Sequence, residues 1–179
     1  GSGVELSTPL RQDRKVIVHT TSYKRRDTFM IRSRFKDTLM SHARSDLEMV
    51  LAKFKAAVPP AVLVSPSLVR GYDFADDLAR TTIVVKVPFP DGRSAVMKAR
   101  KARDPDYPDY VTMKTLEQEF GRTVRNSLDW SEGFVCDSDF VWFWKKAKRF
   151  AGEAFRQSVE WRGGGRPVVV DLIPEPMPI

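Results

Sequence analysis

The chain reads as an α/β domain built on a mainly parallel sheet with helices on both faces. Three observations predict this. Short, continuously apolar and β-branched runs recur at Lys15–Thr20 (KVIVHT), Ala61–Ser65 (AVLVS), Thr81–Val87 (TTIVVKV) and Gly133–Asp137 (GFVCD). That is the pattern of strands covered on both faces. Between them lie longer stretches whose apolar residues return every three or four positions, as amphipathic helices require. Strand and helix alternate, which is the order a parallel sheet needs because each connection must cross back over a face. With 179 residues, 42% apolar and 30% charged, the chain is long enough for one proper core and too apolar for a disordered segment.

Taken in order, residues 4–14 are polar and unpatterned and read as a linker. Gly1-Ser2-Gly3 has the look of a cloning scar, so the chain is expected to be a piece of a longer protein. The expected division is 1–14 scar and linker, 15–161 folded domain and 162–179 tail. The strand Lys15–Thr20 runs into Thr21, Ser22 and Tyr23, small hydroxyls at a carboxyl end, where open α/β sheets bind ligands. Capping of the next helix by Ser22 is the plainer alternative. Lys24–Phe35 is predicted helical and carries Lys24, Arg25, Arg26, Arg32 and Arg34, either a solvated face or added phosphate contacts. Asp37–His42 is a short strand. His42 has no second ligand at metal spacing and reads as structural.

Ser45 and Glu48 have capping-box spacing and open a helix to about Ala57, with Leu47, Val50, Leu51 and Phe54 on its buried stripe. Pro59-Pro60 ends it. After Thr81–Val87 comes the turn Pro88-Phe89-Pro90, then a basic helix over Asp91–Arg103 and a Pro- and Tyr-rich break over Asp104–Tyr110. A helix over Val111–Asn126 follows. Phe140–Trp161 is predicted helical, and its aromatics (Trp142, Phe143, Trp144, Phe150, Phe155, Trp161) read as core, with base stacking as the alternative. The tail offers one edge strand before a Pro-rich end.

Net charge is +7 with a pI near 9.7, which suits a polyanionic partner without proving one. A single cysteine, Cys136, excludes an internal disulfide and a Cys-rich metal site, and fits a reducing compartment. No apolar run approaches the roughly 20 residues needed to span a membrane, and there is no signal peptide. The expected location is the cytoplasm, or the nucleus of a eukaryote, not the exterior.

The chemistry concentrates in Val111–Asn126. Met113, Leu116, Phe120 and Val124 share one helical face, and Gln118, Arg122 and Arg125, spaced i, i+4, i+7, share the opposite one. Gly121 leaves the backbone open to close approach. Two planar, permanently charged guanidiniums and an amide on one stripe can grip phosphate oxygens. A solvated basic face remains the other reading.

QEFGRTVR resembles the Q-x-x-G-R-x-x-R motif VI of superfamily 2 helicases. Gln118, Gly121, Arg122, Arg125, Asp129 and Asp137 stand in the register of the XPD/DinG branch. The chain departs from that pattern at Ser131, where Gly is usual, and at Asp139, where Arg is usual. VIVHTTSY resembles motif IV, which implies contact with a nucleic-acid backbone through Thr21 or Ser22. Gly71-Tyr72-Asp73 resembles the G-x-D of motif V. That implies Gly71 and Asp73 near the ATP ribose or bridging to the arginine helix, with Ser65, Ser67 and Arg70 along the nucleic acid. Arg70 stands where the branch more often has Glu and is closer to other superfamily 2 branches. Taken alone, G-x-D is simply a turn signal.

The resemblance implies a three-layer RecA-like domain, the second of a helicase pair. The sequence holds no G-x-x-x-x-G-K-[ST] loop and no Asp-Glu-x-His box, both of which belong to the first domain. ATP with Mg2+ would then sit between this domain and its own N-terminal RecA-like partner, with no metal held by this chain alone. Gln118, Arg122 and Arg125 would be the catalytic set, the arginines acting as fingers toward the γ-phosphate, and Gly121 would lie against the nucleotide. The implied substrate is single-stranded DNA, tracked 5′ to 3′, and the fragment by itself is expected to be inactive. Alternatives are the equivalent domain of an RNA helicase or double-strand translocase, or a nucleic-acid-binding module without a motor.

Overall fold

The computed structural model describes residues 14–66, 74, 78–121 and 131–161, together with the backbone of 168–172. The chain forms β1 (Lys15–His19), α1 (Tyr23–Arg32), β2 (Leu39–Ser41), α2 (Leu47–Ala56), β3 (Ala61–Ser65) and β4 (Thr81–Val84). It continues through α3 (Ala95–Arg103), α4 (Tyr107–Phe120), β5 (Ser131–Val135), α5 (Asp139–Ala147), α6 (Glu153–Gln157), β6 (Val159–Glu160) and β7 (Val168–Leu172). Single 3₁₀ turns precede β2 and follow α5.

One seven-stranded sheet results, in the order β2-β3-β1-β4-β5-β7-β6. The first five strands in that order are parallel, and β7 runs antiparallel to β5 and to β6. Every residue of β1, β3 and β4 is buried, as central strands with both faces covered must be.

Successive side chains in a strand point to opposite faces, and the core divides accordingly. Val16, Val18, Val62, Val64, Ile83 and Phe134 form one layer, packed by Phe29 and Met30 of α1. On the other face Ile17 and Leu63 meet Val50, Leu51 and Phe54 of α2. Along the same face Val84 and Val135 meet Met113, Leu116 and Phe120 of α4, Phe140, Phe143 and Trp144 of α5 and Phe155 of α6. The three-layer arrangement expected from the sequence is therefore present.

Several element boundaries differ from the sequence reading, each for a local reason. The strand expected over Thr81–Val87 stops at Val84, because the N–H of Val85 turns back to the carbonyl of His19 and that of Val87 to the Asp137 carboxylate. Helix α2 starts after Asp46, one residue later than a Ser45 cap would set it. The Asp46 carboxylate accepts the Ala43 N–H at 2.6 Å. Helix α3 begins at Ala95, since Asp91 closes a turn over Arg93 and Ser94. Most of the Pro- and Tyr-rich break is in fact the first turn of α4. Pro108 falls at the start of that helix, where a missing N–H costs nothing.

The aromatic stretch expected as one helix is three short helical pieces and the edge strand β6, interrupted at Ala151-Gly152. The tail strand does not form the edge. β7 lies inside the sheet, and the two-residue β6 takes the outer position.

Phe54 is fully buried and meets Phe74 edge-on at 6.1 Å, while Met49 on the same helix is 67% exposed. Phe54→Ala is expected to cost about 3–5 kcal/mol by denaturant unfolding, from lost contacts and a residual cavity. Met49→Ala should stay within about 0.5 kcal/mol.

Candidate nucleic-acid and nucleotide edge

Because β1, β3, β4 and β5 are parallel, their carboxyl ends share one edge of the sheet. Four polar groups gather there: the Thr20–Ser22 turn after β1, Ser65 at the end of β3, Lys86 just past β4, and Asp137 just past β5.

The Thr20–Ser22 turn is tightly built. The N–H of Thr20 donates to the Ser65 carbonyl at 3.0 Å, and Oγ1 of Thr20 donates to the Ser22 carbonyl at 3.3 Å. Thr21 adopts φ 60°, the left-handed region that a β-branched residue rarely enters. Such strain persists only where the surroundings enforce it, and it clusters at functional sites. Ser22 caps α1, its side chain accepting the Arg25 N–H at 3.3 Å, while the Arg25 guanidinium donates to Oγ1 of Thr21 at 3.3 Å. The simpler sequence reading of Ser22, a helix cap, is thus realised, and it places an exposed arginine against Thr21. Around the same turn the Tyr23 ring has the Arg26 guanidinium at 4.7 Å and that of Arg44 at 6.0 Å.

Ser65 is fully buried. Its Oγ lies 2.6 Å from Nε2 of His42, whose Nδ1 lies 2.8 Å from the Ala43 carbonyl. A carbonyl only accepts, so Nδ1 carries the proton, and in neutral His42 the Ser65 hydroxyl donates to Nε2. His42 is structural, as its isolation in sequence implied, and Ser65 stands behind the surface rather than on it.

Helix α4 brings its end to the same edge. Met113, Leu116 and Phe120 are buried as expected, while Gln118 and Gly121 are exposed. The helix closes at Phe120 with Gly121 as its C-cap. A Cβ there would meet the Glu117 carbonyl at 3.0 Å, so glycine serves the helix end itself as well as any close approach. Glu119 is buried against His19, the last residue of β1, with Oε1 3.8 Å from Nδ1. Gln118 thus directly precedes a residue anchored at the end of β1, while its own side chain is exposed. The sequence offered a signal for this that was passed over: Glu119 stands at i+3 from Leu116, on the apolar stripe, where a carboxylate needs a partner. The expected Ser67, Arg70, Gly71, Asp73, Arg122 and Arg125, and Asp129 with them, lie outside the described residues.

Asp137 organises the end of β5. One oxygen accepts the Val87 N–H at 2.8 Å, and the other accepts the Asp139 N–H at 3.2 Å and Nζ of Lys86 at 3.1 Å. Lys86 also pairs closely with Asp139. Where the resembled motif usually has an arginine, this chain has Asp139, and Lys86 from just past β4 lies against it. Burial pulls the Lys86 ammonium down, but its hydrogen bonds to Asp139 and Asp137 outweigh that and hold it above 10.5. The hydrogen bond from Lys86 holds Asp139 below 3.8.

Of the aromatics, Phe140, Phe143, Trp144 and Phe155 are core. Trp142, half exposed, stacks on Phe89 at 5.6 Å, and Trp161, also half exposed, on Phe140 at 6.0 Å.

A family model described as the helicase C-terminal domain matches residues 7–156. The chain belongs to the helicase C-terminal domain family. It is 26% identical over 96 residues to the ATP-dependent DNA helicase CHL1 of Candida albicans, a match over 44% of this chain and 11% of that protein. An XPD helicase structure shares the fold with a TM-score of 0.60 at 19% identity, covering 80% of this chain and 29% of that one. This helicase domain thus spans a minor part of the proteins it matches. The resemblance to the second RecA-like domain of an XPD/DinG-type helicase, drawn from motifs IV, V and VI, is borne out. Among the described residues no helix is long and apolar enough to cross a membrane, and no three His, Cys, Asp or Glu cluster as metal ligands.

Two outcomes follow. Lys86→Met should lower the melting temperature by a few degrees at neutral pH. The Asp139 part of the pair is present above the ordinary carboxylate value and lost as pH falls through its depressed one. The Lys86 part is present below 10.5 and lost as pH rises through its raised one. Melts of both proteins across pH should therefore show a gap that is widest in the neutral range and closes on acidification below about 3.8.

Burial pushes the Cys136 thiol up to about 12. Cys136 is part-buried, so thiol-labelling reagents at pH 8 should react with it in the folded protein far more slowly than with an ordinary exposed thiol. Fast labelling of the folded protein would contradict its placement.

Proposed function

We propose that this domain is the second motor domain of an ATP-dependent DNA helicase that tracks single-stranded DNA, 5′ to 3′, in the cytoplasm or nucleus. The observation that carries the reading is the meeting of α4 and β1. The exposed Gln118, at the head of the helicase-like motif, stands beside a strained, hydroxyl-rich turn at the sheet's carboxyl edge, in a chain whose family is that of helicase C-terminal domains.

Thr21, Ser22 and Arg25 offer hydroxyl and guanidinium donors to a phosphodiester backbone. Ser65 and His42 brace that turn from behind, and Ser67 and Arg70 extend the track in the sequence. On the nucleotide side, ATP with Mg2+ is substrate in the cleft to an N-terminal RecA-like domain that supplies the phosphate loop and the acidic box. Gly71, Asp73 and Gly121 approach the nucleotide. Gln118, Arg122 and Arg125 face the γ-phosphate, where a fixed guanidinium stabilises charge that grows in the transition state. With half of the site elsewhere, the domain alone is inactive, and closure of the two domains completes it.

The test is ATP turnover of the full-length parent with and without single-stranded DNA, comparing wild type with Arg122→Ala and Arg125→Ala. Each substitution should lower stimulated turnover by roughly 10³-fold or more, the usual effect of withholding such an arginine, while strand affinity changes little. Unchanged turnover in both variants would remove the finger role from Arg122 and Arg125, and a parent with no turnover would leave a nucleic-acid-binding module without a motor.

A further inference from the structure

The buried pair of His19 and Glu119 joins the last residue of β1 directly to the last turn of α4. Their side chains are 3% and 2% exposed. An ion pair in a core is poor value as a stabiliser, because desolvating both groups offsets most of their attraction, and apolar residues of similar size often do as well. On α4, Glu119 stands among the core residues Met113, Leu116 and Phe120. Stability alone therefore leaves the pair unexplained.

Position does explain it. His19 stands where three strands join: its carbonyl accepts the Val85 N–H at 3.0 Å, and the next residue's N–H donates to Ser65 at 3.0 Å. Immediately beyond lies the strained Thr20–Ser22 turn. Glu119 is flanked by the exposed Gln118 and the buried Phe120, and two residues earlier the Glu117 carboxylate accepts the Gly152 N–H at the start of α6. A shift of the turn thus bears on His19, and His19 bears on the end of α4.

We propose that His19 and Glu119 are positioning residues that couple the Thr20–Ser22 turn to the end of α4, so that a strand held at the turn sets the placement of Gln118 and the segment beyond it. The link rests on the function proposed above. It makes the pair responsible for strand stimulation of ATP turnover rather than for strand binding.

The measurement is the stimulation factor of the full-length parent, its turnover at saturating oligo(dT) divided by turnover without it. The variants are His19→Leu, Glu119→Gln and the double His19→Leu/Glu119→Leu. Each single substitution should lower the factor at least about fivefold, the low end of ordinary coupling between sites. The double should be no worse than the worse single, as two halves of one link require. Oligo(dT) affinity should hold in all three.

The double variant replaces both polar groups with apolar ones of similar size, so it keeps the test decisive where a single substitution disturbs the fold. A folded double variant with wild-type stimulation would overturn the link. So would lost affinity with intact stimulation at saturation, which would make the pair part of the binding turn only. A wild-type parent with no stimulated turnover would sink the proposed function itself. A stimulated wild type with fully stimulated variants sinks only the coupling.

Discussion

The parallel pairing of β1 with β3 on one side and β4 on the other is the constraint on which the rest of the molecule depends. Five residues of β1 align with β3, from Lys15 opposite Ala61 to His19 opposite Ser65, and four align with β4, from Val16 opposite Thr81 to His19 opposite Val84. In a parallel register all strands end together. That brings Thr20, Ser65 and Val85 to one line and lets the backbone of each finish its hydrogen bonding on the next. A slip of one residue would turn Val16 and Val18 toward α2 and expose the mismatch on both faces at once. The functional edge is therefore a consequence of core packing: the same alternation that buries Ile17 and Leu63 beneath α2 fixes where the hydroxyl turn emerges.

Helix α4 reads the same constraint from the other side. Its apolar stripe, Met113, Leu116 and Phe120, docks on the layer formed by Val84 and Val135. Its polar side chains then act as clamps along its length. Asp109 takes Lys146 of α5 at 2.6 Å, Asp106 takes Arg149 at 2.5 Å, and Glu117 takes the start of α6. Exposed pairs of this kind stabilise little individually. Distributed along one helix, they fix its translation and rotation, which apolar contacts alone define loosely. A helix whose end presents groups to a reacting phosphate needs that definition, since small displacements cost much in rate.

What was legible in the sequence follows from which signals are local. AVLVS at 61–65 was read to the residue, because a fully buried strand is a continuous apolar run and Pro59-Pro60 marks its start. The stripe of α2 was legible for the same reason. The boundaries that failed depend on distant partners. Thr81–Val87 looks like seven strand residues, but Asp137, fifty positions on, captures the Val87 N–H and bends the chain away. Ser45 and Glu48 have capping-box spacing, but the helix begins after Asp46, whose carboxylate engages the Ala43 backbone. The tail strand reads as an edge because it follows the last helix. Only the sheet order shows β6 outside it. At the candidate site, Thr21 and Ser22 were found from their place at a strand end. The left-handed conformation of Thr21 and the burial of Ser65 against His42 carry no local signature, since both are imposed by neighbouring elements.

The departures from the helicase motifs make the same physical point. A motif is a set of interactions before it is a set of letters, and an interaction can be supplied from elsewhere. At 139 the chain carries an aspartate in place of the usual arginine, which by itself would put two carboxylates, Asp137 and Asp139, side by side at the end of β5. Like charges so close disfavour one another's ionisation. Lys86 reaches between them from the end of β4 and pairs with both, and its hydrogen bond holds Asp139 below the ordinary carboxylate value. The two carboxylates at the junction of β4, β5 and α5 thus share one lysine. Asp137, which holds two backbone N–H groups and the lysine at once, is the group that ties the ends of β4 and β5 to the start of α5.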